Sequence, residues 1–115
     1  MLCRTGELAP GDRRGFKIGP HRIVLCRTHR GFYALRDICP HHGARLSEGV
    51  LTGTNLPSDF GQYHYGRSEE ILRCPHHGWE VDILTGRTLH DPEHKRVRTY
   101  PVHVEDDRVM VKLDG

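Results

Sequence analysis

The chain has 115 residues, 36% of them hydrophobic and 28% charged, with a net charge of +2, a balance that excludes a disordered or membrane-embedded chain and fits one domain. Its 17 basic residues are nearly matched by 15 acidic ones, so nothing calls for a nucleic-acid partner, and no stretch approaches the ~20 apolar residues of a membrane span. The first seven residues are too polar for a secretory signal, which sets the expectation of a cytoplasmic protein whose cysteines stay reduced.

The elements, in chain order, are short and apolar-centred. Residues 15–19 read as a strand, followed by 21–27 around Ile23, Val24 and Leu25, a turn at 28–31, and a strand at 32–35. Residues 52–59 are a loop by composition, and 62–65 with 71–73 form a hairpin joined by 66–70. Residues 97–104 and 108–113 pair across an Asp106-Asp107 turn, with period-two spacing of Val102, Val104, Val109 and Val111. No segment shows a long helical period. The expectation is an all-β fold, a small antiparallel sandwich or barrel, with residues 1–115 forming a single domain.

Ten histidines accompany four cysteines, and histidine is the commonest metal ligand. The only internal repeat is Cys39-Pro40-His41-His42-Gly43 and Cys74-Pro75-His76-His77-Gly78. Each copy sets a thiol two and three residues before an imidazole. The proline stiffens the step after the cysteine, and the glycine lets the backbone turn around a bound centre. Brought together, the loops offer two thiolates and two imidazoles. That set suits a structural zinc ion, or an iron–sulfur cluster with two histidines on one iron and two cysteines on the other. A ββα zinc finger gathers its histidines on one helix after both cysteines. Here each loop supplies both ligand types in a strand-rich chain, which favours iron–sulfur.

With Ala44 and Trp79 added, the two runs resemble the halves of the Rieske motif, Cys-x-His and Cys-x-x-His. The likeness continues through Glu80-Val81-Asp82-Ile83-Leu84-Thr85-Gly86, similar to the strand and turn after the second ligand loop, and through Tyr100-Pro101-Val102 before a final hairpin. It covers the chain from about Phe16 onward. The resemblance implies one [2Fe–2S] cluster in a subdomain of two loops, with Cys39 and Cys74 on one iron and His41 and His77 on the other. His42 and His76 then occupy variable positions. It also implies an electron-transfer ferredoxin that passes single electrons from a flavin reductase to a terminal oxygenase, with no catalytic site in this chain alone. The alternative is a small Rieske subunit of a larger oxidoreductase such as a nitrite reductase, and a third reading is a Cys2His2 zinc-stabilised interaction module.

One departure is length, since 32 residues separate His41 from Cys74, about twice what the resemblance implies. The excess is assigned to 51–73, as a surface insertion or as a docking element with Tyr63, His64 and Tyr65 for anchors. Respiratory Rieske proteins carry an extra cysteine in each loop, where this chain has Ala44 and His76, and a serine and a tyrosine where it has Trp79 and Val81. Hydrogen bonds to the sulfurs favour the reduced cluster. Their loss implies a potential near the low end of the Rieske range, about −150 mV. Trp79 is expected to be a core aromatic, Cys26 a buried small hydrophobe, and Cys3 a mobile tail residue. His21, His29, His64, His90, His94 and His103 are given turn, loop or surface positions, and Lys95, Arg96 and Arg98 a solvated strand face.

Overall fold

Four consecutive apolar residues, Ile23, Val24, Leu25 and Cys26, have no solvent-accessible surface, the mark of a strand covered on both faces. The computed structural model describes residues 2–39, 45–57, 63–75, 79–89, 93 and 95–113, with the backbone alone for 53–57 and 63–69. Its strands are β1 (Cys3–Arg4), β2 (Arg13–Ile18), β3 (His21–Thr28), β4 (Gly31–Arg36), β5 (Val50–Pro57), β6 (Tyr63–Arg73), β7 (Glu80–Asp82), β8 (Thr99–Tyr100), β9 (Val102–Glu105) and β10 (Arg108–Val111). Two short 3-10 turns, Thr5–Glu7 and Leu46–Glu48, are the helical elements among the described residues. Three antiparallel sheets result, ordered β1-β10-β9, β2-β3-β4-β8 and β5-β6-β7.

The middle sheet carries a separate core on each face. Ile23, Leu25, Ala34 and Tyr100 pack with Cys3, Leu8 and Val109 under the sheet that holds β1, β9 and β10. Val24, Cys26 and Leu35 point the other way and pack with Leu46, Leu72, Val81, Ile83, Val97 and the two cysteines Cys39 and Cys74. Alternation along β3 thus serves two layers at once. Each fully buried Leu or Ile contributes about 1.5–3 kcal/mol.

The all-β expectation holds, and several boundaries differ. Residues 52–59 are not a loop through Pro57, since β5 runs from Val50 to Pro57 along β6. The hairpin predicted within 62–73 is one strand, β6, and the true hairpin is β5–β6. Its polar stretch survives as a bulge: the register steps from Thr52↔Ile71 to Thr54↔Gly66, so residues 67–70 face Gly53 alone. Local composition signalled a break there, and pairing across the hairpin overrode it. Strand 97–104 is split at Pro101 into β8 and β9, because proline has no N–H for the ladder. Val104, in period-two register with half-buried Val102, is 46% exposed. Cys3 is not a tail residue: it is 3% exposed and pairs with Val109. The Asp106-Asp107 turn is as expected, with φ of 48° and 66° joining Glu105 to Arg108, the geometry of a tight two-residue hairpin.

Candidate metal centre

The first ligand loop leaves β4, and its exit is tied to a neighbouring strand. Asp37 N–H donates to the Arg22 carbonyl at 2.9 Å, extending the β3–β4 ladder to within two residues of Cys39. The Asp37 carboxylate, 6% exposed, then reaches across the loop. One oxygen accepts from Ser47 N–H at 2.7 Å and the other from the Ser47 hydroxyl at 2.6 Å. Residues 37 to 47, which include Cys39 and His41, are thereby closed by a single side chain. A buried carboxylate needs such donors, and charge-assisted bonds of this length are worth about 1.5–3 kcal/mol each. Gly15 leaves room for the pair, since a Cβ there would lie 2.8 Å from Ser47 Oγ and 3.0 Å from Asp37 Oδ2.

From Ser47 the chain passes to Gly49, whose carbonyl accepts from Arg13 Nε at 2.8 Å. A side chain at Gly49 would collide with the Arg73 carbonyl. This close approach lets Val50 pair with Arg73 and start β5 beside the end of β6. The exit of the first loop therefore lies alongside the entry to the second, at Cys74.

The second loop closes differently. Cys74 directly follows β6, Glu80 opens β7, and Cys74 N–H donates to the Trp79 carbonyl at 2.7 Å. Arg73 and Glu80 face each other in the ladder with an ion pair of 3.4 Å. At the end of β7, Asp82 caps a turn by accepting from Leu84 N–H at 2.9 Å, and Gly86 completes it at φ 79°.

Cys39 and Cys74 are 1% and 2% exposed in the same core, and none of the four cysteines is in a disulfide. Two reduced thiols from two loops, held in one apolar core, are half of the four-donor set that an iron–sulfur centre requires. The structure thus brings together the two predicted cysteine ligands. His41 and His77, with His42, Ala44, His76, His90 and His94, lie outside the described residues. Among the described residues no group of three or more His, Cys, Asp and Glu forms a metal site. Tyr63, His64 and Tyr65 lie in β6, their side chains outside the described ones. Trp79 is half-buried against the core beside fully buried Val81.

Cys26 is buried on the same face, and burial pushes its thiol up to about 12, so it stays a neutral hydrophobe as expected. Burial also raises the Cys3 thiol, reinforced by Glu7. His29 and His103 are exposed and His21 half-buried, as turn and strand-surface positions imply. Sequence reasoning missed Asp37, Ser47, Gly49 and Arg13. No periodicity links positions 37 and 47, and only the Gly between two apolar-centred runs could have drawn the eye to 49.

A family model described as Rieske [2Fe–2S] domain matches residues 1–101. The chain is 31% identical to the ferredoxin component of biphenyl 2,3-dioxygenase of Rhodococcus jostii, over 99% of this chain and 92% of that one. Its fold matches a chain of the complex of reduced oxygenase and oxidized ferredoxin in carbazole 1,9a-dioxygenase, at a TM-score of 0.76 and 26% identity, covering 96% of this chain and 98% of the other. An NADH-dependent nitrite reductase small subunit from Mycobacterium tuberculosis shares the fold at a TM-score of 0.70 and 23% identity, covering 95% and 88%.

Proposed function

The chain belongs to the Rieske [2Fe–2S] domain family, and on that premise we propose that Cys39 and Cys74 hold one iron of the cluster and His41 and His77 the other. It is an electron-transfer protein with one Rieske-type [2Fe–2S] cluster, which supplies reversible one-electron chemistry when bound. We propose that it is the cytoplasmic ferredoxin of an oxygenase system, accepting electrons from a flavin reductase and delivering them to a terminal oxygenase. The observation that carries this is the match along nearly the whole length of a dioxygenase ferredoxin component. The likeness to nitrite reductase small subunits rests on fold alone, and the family match sets the zinc module aside.

The chain's own residues do three things for this task. Cys39 and Cys74 give up their protons to become thiolate ligands in a core that excludes water. The Asp37–Ser47 bonds close the first loop, the Cys74–Trp79 bond closes the second, and the pairing of Val50 with Arg73 sets the exit of one beside the entry of the other. Val81, fully buried, brings no hydrogen-bond donor to the site, which supports a potential near the low end of the Rieske range, about −150 mV. Residues 1–115 are taken as one domain. Within 51–73, Ile71 and Leu72 belong to the core, and the part of the β5–β6 hairpin beyond Gly53 is taken as the insertion.

Iron and acid-labile sulfide analysis with EPR of the reduced protein tests this reading. Two irons and two sulfides per chain, with a mean g value below that of all-cysteine clusters, are expected; one zinc in a colourless protein would overturn it. His41→Ala and His77→Ala are expected to lose the mixed-ligand signal while His42→Ala and His76→Ala keep it. The reverse pattern would reassign the ligands. A potential above about +100 mV would sink the low-potential assignment.

A further inference from the structure

In the β2–β3 ladder Lys17 lies directly opposite Arg22. Like charges so placed destabilise a strand pair, and both side chains are exposed. They are not isolated. With Arg13, Arg14, Gly15 and Arg45 they line an open cleft of about 420 Å³. Arg13 pairs with Asp12 at 3.2 Å and Arg14 with Glu7 at 3.9 Å, whereas Lys17, Arg22 and Arg45 have no ion-pair partner among the described residues. The one acid in the cleft wall is Asp37, both of whose oxygens are engaged by Ser47. A net charge of +2 for the whole chain thus conceals a local excess of positive charge. Arg22 also borders a second cleft with Arg36 and Arg98, which continues the basic band along the sheet.

The position of this cleft matters as much as its charge. Asp37, Arg45 and Ser47 in its wall are the residues that flank the loop bearing Cys39 and His41. Whatever occupies the cleft touches both ends of the first ligand loop.

We propose that this cleft is the docking site for an acidic surface on a protein redox partner, with Lys17, Arg22 and Arg45 as its anchors. The inference rests on the electron-carrier reading and adds to it the sign of the partner's surface and the residues that meet it. Carboxylates of the partner neutralise the opposed Lys17 and Arg22 and relieve their repulsion, and they hold the partner beside Asp37 and Arg45, on either side of Cys39 in the chain. Uncompensated charge at this site steers encounter at low ionic strength, and salt screens it over about 10 Å at 0.1 M. An acidic protein fits better than a small anion, because the cations are spread along a strand pair and continue onto a neighbouring cleft.

The test uses the cluster-loaded protein and flavodoxin hydroquinone, an acidic one-electron donor protein, in stopped flow. For the wild type the reduction rate is expected to fall steeply with salt. Lys17→Glu with Arg22→Glu is expected to slow reduction about tenfold or more at low salt, with visible spectrum, midpoint potential and dithionite reduction unchanged. Arg108→Glu with Lys112→Glu changes the net charge equally on exposed positions in and just after β10 and is expected to slow it far less. Should the glutamate pair fail to hold the cluster, Lys17→Gln with Arg22→Gln carries the same comparison at reduced amplitude. Equal slowing by both pairs would overturn the proposal in favour of a net-charge effect. Saturable inhibition of the wild type by inorganic phosphate at constant ionic strength would overturn it in favour of a small-anion site. Normal dithionite reduction with unaltered flavodoxin rates would sink the docking site alone. Failure of dithionite to bleach the wild type would remove the electron-carrier reading and the docking site together.

Discussion

The two ligand loops begin with the same five residues, Cys-Pro-His-His-Gly, and are built in different ways. The first runs from β4 into a 3-10 turn and is closed by side chains: Asp37 bonds Ser47 twice, and Arg13 bonds the Gly49 carbonyl. The second is the connection of the β6–β7 hairpin and is closed by main chain, Cys74 N–H to the Trp79 carbonyl. A repeat in sequence is therefore anchored in two different ways. The first loop depends on particular side chains and is open to single substitutions. The second inherits its closure from a strand pair that most substitutions leave intact.

The largest expected effect ignores the difference between the loops. Cys39→Ser and Cys74→Ser should each abolish the cluster, read as loss of visible absorbance and of iron; retention of the full spectrum by either would reassign the ligands. Next is Gly49→Ala, whose methyl group has no place beside the Arg73 carbonyl. It should cost about 3 kcal/mol or more in urea unfolding, since the turn and β5 must separate from β6. Asp37→Ala leaves the donors of Ser47 without their carboxylate and should cost about 1–3 kcal/mol, with faster release of iron to a chelator. Ser47→Ala keeps the backbone bond to Asp37 and should cost about 1.5 kcal/mol, the low end for one bond to a charged group. If Asp37→Ala releases iron no faster than wild type, the first loop does not depend on its side-chain clasp and the contrast fails.

Trp79→Phe sharpens the contrast from the other side. Its carbonyl still accepts from Cys74, so destabilisation should stay within about 1 kcal/mol and iron release should match wild type. The smallest effect concerns pH. The Cys26 thiol, pushed up to about 12 by burial from an ordinary 9.0, is held neutral in the fold. Its contribution to stability is complete below about pH 9 and is lost as pH rises toward 12. Melting measured at mildly and strongly alkaline pH should fall less for Cys26→Ala than for wild type, and equal falls would show that this thiol does not set the alkaline limit.

Much of the layout was legible in the chain. The apolar run Ile23, Val24, Leu25 marked a strand, and the Asp106-Asp107 turn marked the last hairpin, because both signals are local. The β5–β6 hairpin was misplaced because Gly66 and the charged residues after it look like a turn. Only pairing with β5, seven registered residue pairs across the hairpin, makes them a bulge within one strand. Cys3 was misjudged for the same reason: nothing near it in sequence shows that Val109 lies opposite.

By itself the sequence determined the donors available to this protein, since a repeated run of thiol and imidazole offers the same atoms whatever surrounds it. Only the tertiary structure decided how that chemistry is held and approached. The Asp37–Ser47 clasp spans ten residues, the contact of Gly49 with Arg73 spans the whole connection between the loops, and the facing of Lys17 and Arg22 depends on strand register. Contacts between positions far apart in the chain are set by which strands pair and in which register, and local composition carries little record of either.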